Sequence, residues 1–401
     1  MAKVVCFDLR SLQIGHENRG IGMVIRGILE NLHDDENKYL FYIFDHSNPI
    51  KDLKIKTAVN YRLIKTPRLK DEVKKVSDIW DSFRLQFHRF SKLKKYKPDI
   101  FVQFDFKLGL PRWKMTKKYI YAYDLIPLVM KNDYIPSATL AASRVVGKKT
   151  KLKAILRAIY YKIKYHLFYK IYKKDNFIIS ISKATTRSFS EQLNIDKKKI
   201  ITIPLAPATH SNPEPTNNKP NQKPYIFYIG GTDRRKRVDH IIYAFNIVRS
   251  RGHNLRLVLA GNEFKDAKTI PDDRTRDAIH YSPYSADIDC AGFITDEEKV
   301  NSYTKAHAFV SCSEYEGFGL PIVEAMQNHC PVVSYNNSSI PEVAGSAARL
   351  VDTGDYTEIA KEIINLFDEK TREKCIVEGI KQAKKFSWNK YIKQFLKVIN
   401  S

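Results

Sequence analysis

Two carboxylates near the end of the chain, Glu316 and Glu324, are separated by seven residues in the run Ser313-Glu-Tyr-Glu-Gly-Phe-Gly-Leu-Pro-Ile-Val-Glu324. Gly317 and Gly319 come just after the first carboxylate, and Pro321 opens the helix predicted to carry the second. Glycine has no Cβ, so its backbone N–H groups can come close to a ligand, and a helix N-terminus favours phosphate or a hydroxyl oxygen there. A carboxylate on each side can accept hydrogen bonds from sugar and ribose hydroxyls. Residues of these types in this order fit a clamp around a phosphorylated sugar.

Three further groups stand where such a ligand could be met. Gly230 and Gly231 end an apolar run and lead into the basic turn Arg234-Arg-Lys-Arg237. Asn18-Arg19-Gly20-Ile21-Gly22 comes after the first predicted strand and before a helix, a place where a glycine loop can approach phosphate. Asp8 closes that strand and reads as a structural partner of the loop. Tyr123 and Asp124 lie at the end of another strand, where Asp124 could also cap the following turn. Asp287-Ile-Asp289 has the spacing of a metal-binding acidic pair but sits deep in the second half, and no metal is expected there. The five cysteines are scattered without C-x-x-C or metal-ligand spacing and read as reduced core thiols.

The elements that would position these residues alternate. KVVCFDLR, YLFYIFDH, DIFVQFD, KYIYAYD and NFIISIS read as strands of the first half, with IGMVIRGILENL as a helix. PYIFYIGG, LRLVLAG, AHAFVSCS and PVVSYN are strands of the second half, separated by the helical stretches VDHIIYAFNIVRSRG, PIVEAMQNH and YTEIAKEIINLFD. Nearly continuous apolar strands alternating with helices predict parallel, doubly wound sheets. At 401 residues the chain fits two domains. The expected division is an N-terminal α/β domain over 1–208, a Pro/Asn/Lys-rich linker over 209–224, a second α/β domain over 225–385, and a final helix over 386–401 that could pack back. Ligands of such sheets sit beyond the carboxyl ends of the strands, so the two lobes are expected to face each other across a cleft.

The formal charge of +24 is unevenly placed: residues 1–208 hold 42 Lys+Arg against 19 Asp+Glu, and the remainder 26 against 25. The first half is therefore expected to meet a polyanionic partner. From Arg144 to Lys174 there are eleven Lys and Arg and no acidic residue. Leu152, Ile155, Leu156, Ile159, Ile163, Leu167 and Ile171 recur there at helical spacing. The expected arrangement packs this apolar face on the N-terminal sheet and leaves the basic face to an anionic membrane surface through residues 144–174. No apolar run is long enough to span a bilayer and the opening residues do not read as a secretory signal, so a cytoplasmic chain, peripheral at the inner face of the cell membrane, is expected.

EGFGLPIVEAM resembles the glutamate, seven-residue, glutamate signature of the retaining glycosyltransferases of family 4, which have two Rossmann-like lobes (GT-B). YIGGTDRRKRVDHIIYAF, LVLAG, CAGFITDEEKVNSYTKAHAFV and SSIPEVAGSAARLVD are similar to family segments in the family's order. The resemblance implies that Arg235 and Lys236 hold the donor diphosphate and stabilise the departing nucleotide. It implies that Glu316, helped by the backbone of Gly317, Phe318 and Gly319, meets the transferred sugar, and that Glu324 meets the ribose, with Leu320 packing the loop. Gly20 and Gly22 lie in a segment similar to the family's R-G-I-G loop, with Arg19 toward the acceptor. Tyr123 and Asp124 resemble a His-Asp pair of the family, with Tyr123 departing from it at the His position, which leaves Asp124 as the polar contact. The family retains anomeric configuration without an obligatory metal or other cofactor, the nucleotide-diphosphate sugar being a co-substrate.

The same resemblance implies transfer of a hexose or deoxyhexose, with mannose from GDP-mannose as the leading donor, to a lipid-linked or polysaccharide acceptor in cell-envelope glycan synthesis. Two rivals differ in class. One is a nucleic-acid-binding protein using the basic first half; it leaves the second half unexplained, and no nucleic-acid partner is expected. The other is a nucleotide-sugar epimerase or hydrolase on the same fold.

Overall fold

The computed structural model describes residues 2–14, 20–45, 47–67, 90–111, 113, 117–134, 176–207 and 223–401, together with single positions between 152 and 173. The chain divides into two compact units, residues 1–206 with 388–401, and residues 207–387. Most of the expected linker lies outside the described residues.

The first unit is built on seven parallel strands: β1 (Val4–Asp8), β2 (Lys38–Phe44), β3 (Tyr61–Thr66), β4 (Ile100–Gln103), β5 (Lys117–Ala122), β6 (Phe177–Ser180) and β7 (Ile200–Thr202). They stand in the order β3-β2-β1-β4-β5-β6-β7. Cys6 of β1 is in register with Leu40 of β2 and Phe101 of β4. All three are buried, as expected of central strands covered on both faces. Helix α1 (Gly20–Asn31) buries Val24, Ile25, Ile28 and Leu29, one helical stripe of its sequence. Helix α2 (Lys183–Leu193) starts at Ser182, whose side chain accepts the Thr185 N–H, and ends at Asn194 in the left-handed conformation.

The last helix of the chain completes this unit. Phe395 packs edge-on to Phe7 at 5.8 Å between ring centroids, and the Tyr391 and Tyr121 hydroxyls lie 2.5 Å apart. Lys3 Nζ donates to the carbonyls of Ile399 and Asn400 at 3.0 and 2.7 Å, satisfying acceptors that the helix end leaves free.

The second unit has six parallel strands: β8 (Tyr225–Ile229), β9 (Arg256–Ala260), β10 (Ile288–Gly292), β11 (Ala308–Ser311), β12 (Val332–Tyr335) and β13 (Arg349–Val351). Their order is β10-β9-β8-β11-β12-β13. The longer helices are α3 (Val238–Ser250), α4 (Asp273–His280), α5 (Asp296–Lys305), α6 (Leu320–Gln327), α7 (Tyr356–Asn365) and α8 (Glu369–Ala383); the final helix, α9 (Trp388–Asn400), belongs to the first unit. Helix α5 opens with a capping box, the Thr295 side chain taking the Glu298 N–H and the Glu298 side chain the Thr295 N–H. The doubly wound α/β class expected from the sequence is the observed one.

One expectation is corrected. Leu152, Leu156, Ile159 and Ile163 are 58, 58, 46 and 51 % exposed, so this part of the apolar stripe does not pack on the N-terminal sheet. Ile171 of the stripe does pack on the core, and the other inward contacts are made by tyrosines: Tyr169 stacks on Phe106 at 5.8 Å, and Tyr172 meets Phe189 edge-on at 4.8 Å. Much of the 144–174 segment, including Lys151, Lys153, Arg157 and Lys164, lies outside the described residues. Among the described residues no helix is long and apolar enough to cross a membrane.

Candidate active site

In the second unit the strand order reverses between β8 and β11, and a crevice at the carboxyl ends of such a pair is the usual ligand position in open α/β sheets. The chain leaving β8 supplies the glycine turn and the basic turn; the chain leaving β11 supplies Ser313 to Glu316. Gly230 donates its N–H to the Ala260 carbonyl at 3.0 Å. The next turn comes so close that a Cβ on Gly261, at φ +139°, would lie 2.0 Å from the Gly230 carbonyl oxygen. Thr232 is held by Glu263, which accepts both its N–H and its hydroxyl at 2.6 Å.

Arg234–Lys236 form one turn of tight helix after Asp233, whose carboxylate accepts the Arg235 N–H. Arg237 then takes the left-handed conformation, φ +45°, and α3 begins. That kink aims consecutive side chains at different partners. Lys236 Nζ lies 2.5 Å from Glu316 Oε1, and Arg235 Nη1 lies 3.2 Å from Glu316 Oε2 and 2.6 Å from the Tyr315 carbonyl. Arg237 pairs with Asp239 at 3.0 Å and with Glu314 at 2.6 Å. The main chains are joined as well, the Glu314 N–H donating to the Arg235 carbonyl at 2.7 Å.

Glu316 is further fixed by the Ser313 hydroxyl, which donates to Oε1 at 2.7 Å. The Glu316 N–H donates to the Ser338 hydroxyl at 2.9 Å, and the Ser339 hydroxyl donates to the carbonyls of Glu316 and Phe318 at 3.0 Å. Burial works to raise the Glu316 pKa. Lys236 and Arg235, with hydrogen bonds from Lys236 and Ser313, outweigh it and hold the carboxyl at about 2. Lys236 is itself lowered, chiefly by burial and against the attraction of Glu316. A deeply ionised carboxylate thus stands against two cations where strands diverge.

Gly319, at φ +95°, caps α6, and Leu320 behind it is half-buried. Phe318 is buried and packs edge-on to Phe386 at 5.5 Å. Glu324 is buried on α6, its Oε2 accepting from the Tyr303 hydroxyl at 3.3 Å and its Oε1 3.6 Å from Lys299 Nζ. The pair Asp287 and Asp289 is engaged by cations: Asp287 by Arg249 at 2.9 Å and Lys223 at 3.2 Å, and Asp289 by Arg256 at 2.7 Å.

The first unit brings its own polar groups to the carboxyl ends of β1, β4 and β5. Asp8 is fully buried and takes both Nε and Nη2 of Arg10, at 2.8 and 2.6 Å, with Arg10 set over the rings of Tyr42 and Phe90. Asp8 is thereby a structural group, its partner being Arg10. Gly20 and Gly22 begin α1; Arg19 lies outside the described residues. Tyr123 stacks on Tyr121 at 5.9 Å, and its hydroxyl is buried without a hydrogen-bond partner among the described residues. Burial pushes that hydroxyl's pKa well up. The Asp124 carboxylate accepts the Ile126 N–H at 3.1 Å, at the start of the short helix Ile126–Val129.

Residues 212–382 match the family model described as glycosyl transferases group 1. The chain carries a glycosyltransferase group 1 domain. Over 166 residues it is 34% identical to the O-antigen chain mannosyltransferase B of Escherichia coli, covering 41% of this chain and 42% of that protein. Over 192 residues it is 27% identical to the poly(glycerol-phosphate) alpha-glucosyltransferase of Bacillus subtilis, covering 46% of this chain and 27% of the relative. The match therefore spans less than half of these relatives. Among solved structures, sucrose-phosphate synthase from Thermosynechococcus elongatus superposes with a TM-score of 0.72 at 15% identity, over 99% of this chain and 98% of the other. A glycosyltransferase from Rickettsia africae gives 0.64 at 14% identity, over 99% and 97%. Such identities speak to the fold, which is GT-B.

Within the glycosyltransferase domain, the structure brings Arg235, Lys236, Glu316 and the Gly230–Gly231 turn together. It leaves Glu324 beside Lys299 and Tyr303. The sequence placed Arg237 in the basic turn without assigning it a partner and gave no role to Glu314, Glu263, Ser338 and Ser339; all five hold the loops. Ser338 and Ser339 stand in a segment similar to the family's, but nothing in its spacing assigns them a partner.

Proposed function

We propose that the chain is a retaining, metal-independent hexosyltransferase, moving a hexose or deoxyhexose from a nucleotide-diphosphate sugar to a glycan or lipid-linked acceptor in cell-envelope polysaccharide synthesis. The observation that carries this is the Lys236–Glu316–Arg235 cluster at the β8/β11 strand reversal. Lys236 and Arg235 supply charge for a diphosphate, and the ionised Glu316 is suited to accept hydrogen bonds from sugar hydroxyls. In the reaction the bond between the anomeric carbon and the phosphate oxygen breaks, the nucleoside diphosphate leaving with the electron pair. The acceptor hydroxyl oxygen bonds to that carbon on the same face, and its proton passes to the departing phosphate oxygen. The protein's part is positioning and stabilisation of the growing phosphate charge.

Glu324 serves the ribose in this reading, with Lys299 and Tyr303 fixing its carboxylate. Asp124 and Tyr123 serve the acceptor side, with Arg19, Gly20 and Gly22. Mannose from GDP-mannose is the leading donor, supported by the similarity to the E. coli mannosyltransferase. With a lipid-linked acceptor the work is done at the cytoplasmic face of an anionic membrane, met through residues 144–174.

The test is incubation of the purified chain with GDP-mannose and, in parallel, UDP-glucose, with and without a mannose-terminated lipid or oligosaccharide acceptor. Products are tracked by mass spectrometry and anomeric NMR. Acceptor-dependent formation of an α-linked product, lost in Lys236→Ala, is expected. Sugar release or epimerisation at the same rate with and without acceptor would replace the transferase with a hydrolase or epimerase.

A further inference from the structure

Besides the carboxylates of Asp239 and Glu314, the Arg237 guanidinium has a third partner in the second unit, the Nε2 of His240 in the first turn of α3. A guanidinium only donates, so Nε2 must accept, and the imidazole is neutral with its one proton on Nδ1. Nδ1 lies 2.5 Å from the Tyr335 hydroxyl, which is hydrogen-bonded in turn to the Cys312 side chain. Tyr335 ends β12 and Cys312 follows β11. One tautomer of His240 thus ties the basic turn after β8 to the two strands beside it.

The ring is buried among tyrosines. Tyr335 meets it edge-on at 6.0 Å between centroids, Tyr356 of α7 at 5.2 Å and Tyr243 of its own helix at 6.2 Å. These phenols stay neutral through the range in which imidazole titrates, as does the buried Cys312 thiol. Four charges bear on the ring. Asp239, whose Oδ2 lies 3.9 Å from Nε2, and Glu314 favour a proton on it; Arg237, and Arg274 of α4, oppose one. Burial and then Arg237 prevail and push the His240 pKa below its ordinary 6.5. At neutral pH the ring is an acceptor.

A proton on Nε2 turns that acceptor into a donor aimed at a guanidinium. The carboxylate oxygen nearest to it, Asp239 Oδ2, is already held by Arg237 Nη2 at 3.0 Å, so an imidazolium both repels Arg237 and competes for its partner. Arg237 directly follows Lys236, and through Glu314 it reaches the loop that carries Glu316. We propose that His240 is a positioning residue of the donor site: its neutral ring holds Arg237, and Arg237 holds the two loops that present Arg235, Lys236 and Glu316. The inference rests on the donor reading above and adds to it a residue that acts only through another. Donor affinity is full while the ring is neutral and falls as pH drops below about 6.5.

The experiment is calorimetric binding of GDP-mannose and UDP-glucose to the whole chain from about pH 8 to about pH 5.5. A sugar nucleotide is used because its diphosphate is esterified at both ends and takes up no proton there, whereas a terminal phosphate does. Wild-type affinity should fall about fivefold or more over that range. His240→Gln keeps an amide oxygen that can accept from Arg237 and does not titrate; it should bind within about threefold of wild type at neutral pH and show a flat profile. His240→Phe has no acceptor and should bind at every pH about as weakly as wild type does in acid. Circular dichroism melts show which variants fold; if His240→Phe does not, the His240→Gln profile decides. A flat wild-type profile overturns the inference, as does the wild-type slope in His240→Gln or wild-type affinity in a folded His240→Phe. Nitrogen-15 NMR at neutral pH, with the His240 signal assigned by its loss in His240→Gln, should show the Nδ1–H form; a proton on Nε2 overturns the inference without reference to any donor. Binding of neither sugar nucleotide by wild type, with the Nδ1–H form present, overturns the donor reading itself and the inference with it.

Discussion

Lys236 Nζ and Glu316 Oε1 lie 2.5 Å apart although eighty residues separate them in the chain. Each comes from the loop leaving one of the two strands between which the sheet reverses, and each is held by a neighbour of its own: Glu316 by Ser313, and the Lys236 turn by Asp233. Glu316 offsets only one of the two cationic charges, so the cluster stays net positive, and a diphosphate entering beside Lys236 and Arg235 would take over the pairing that Glu316 now provides.

The pH dependence of this cluster has a definite sign. Glu316 is lowered from an ordinary value of 4.5 to about 2. A carboxyl with a depressed folded pKa contributes stability above its unfolded pKa and loses it as pH falls through the folded one. The Glu316 contribution, about 3 kcal/mol at the most, is therefore complete at pH 7 and decays between roughly pH 4.5 and pH 2. Urea midpoints of wild type and Glu316→Gln should differ at pH 7 and converge as pH is lowered through that window. A difference that stays constant down to about pH 3 would mean the carboxyl is not held by these cations.

Donor affinity gives the second prediction. Removal of one charge-assisted contact costs roughly 1.5–3 kcal/mol, a factor of about ten to a hundred. Lys236→Ala and Arg235→Ala should each weaken calorimetric binding of the matching nucleoside diphosphate by that factor. Arg234→Ala should leave it nearly unchanged, because Arg234 turns away to Asp272 and Asp273. Equal losses in all three would indicate a diffuse basic patch rather than two positioned ligands.

The members of this cluster were legible in the sequence because their spacing is local: a glycine pair before a basic turn, and a carboxylate before a glycine turn and a proline-led helix. Their supports were not, since Glu263, Glu314, Ser338 and Ser339 act across long loops that no periodicity marks. Central strands were legible as continuous apolar runs. Strand β3 was not, because it is an edge strand whose exposed Tyr61, Arg62 and Lys65 interrupt the apolar run. The basic segment shows the remaining limit: helical spacing of Leu and Ile gives a face, but only the tyrosine contacts decide that this face points outward.

Arg237 couples the two loops through its side chain and its backbone together. It pairs with Asp239 and Glu314, contacts His240, and sits at φ +45°, where a Cβ is strained. Arg237→Gly removes the pairs and keeps the backbone; Arg237→Ala removes the pairs and retains the strain. Both should raise the donor KM, and Arg237→Ala should be less stable than Arg237→Gly by about 1 kcal/mol in urea melts. If alanine is tolerated better than glycine, the left-handed turn is not what holds the basic loop in place.

Gly27 on α1 faces Trp388, the first residue of α9, so closely that a Cβ at position 27 would lie 1.9 Å from the indole ring. Trp388 is buried in turn, and the helix it begins is tied to the sheet at Tyr121 and Lys3. The contact cannot be relieved by moving the ring outward without lifting the start of α9. In an exposed helix, replacing glycine by alanine stabilises by about 1 kcal/mol. Here overpacking should reverse the sign, and Gly27→Ala should destabilise by about 1–3 kcal/mol. In a Trp388→Ala background the clash is gone, and the same substitution should become neutral or stabilising. The double-mutant cycle thus carries a coupling of at least about 1 kcal/mol, measured by urea unfolding of four chains. Simple additivity would show that α9 does not seat its tryptophan on α1.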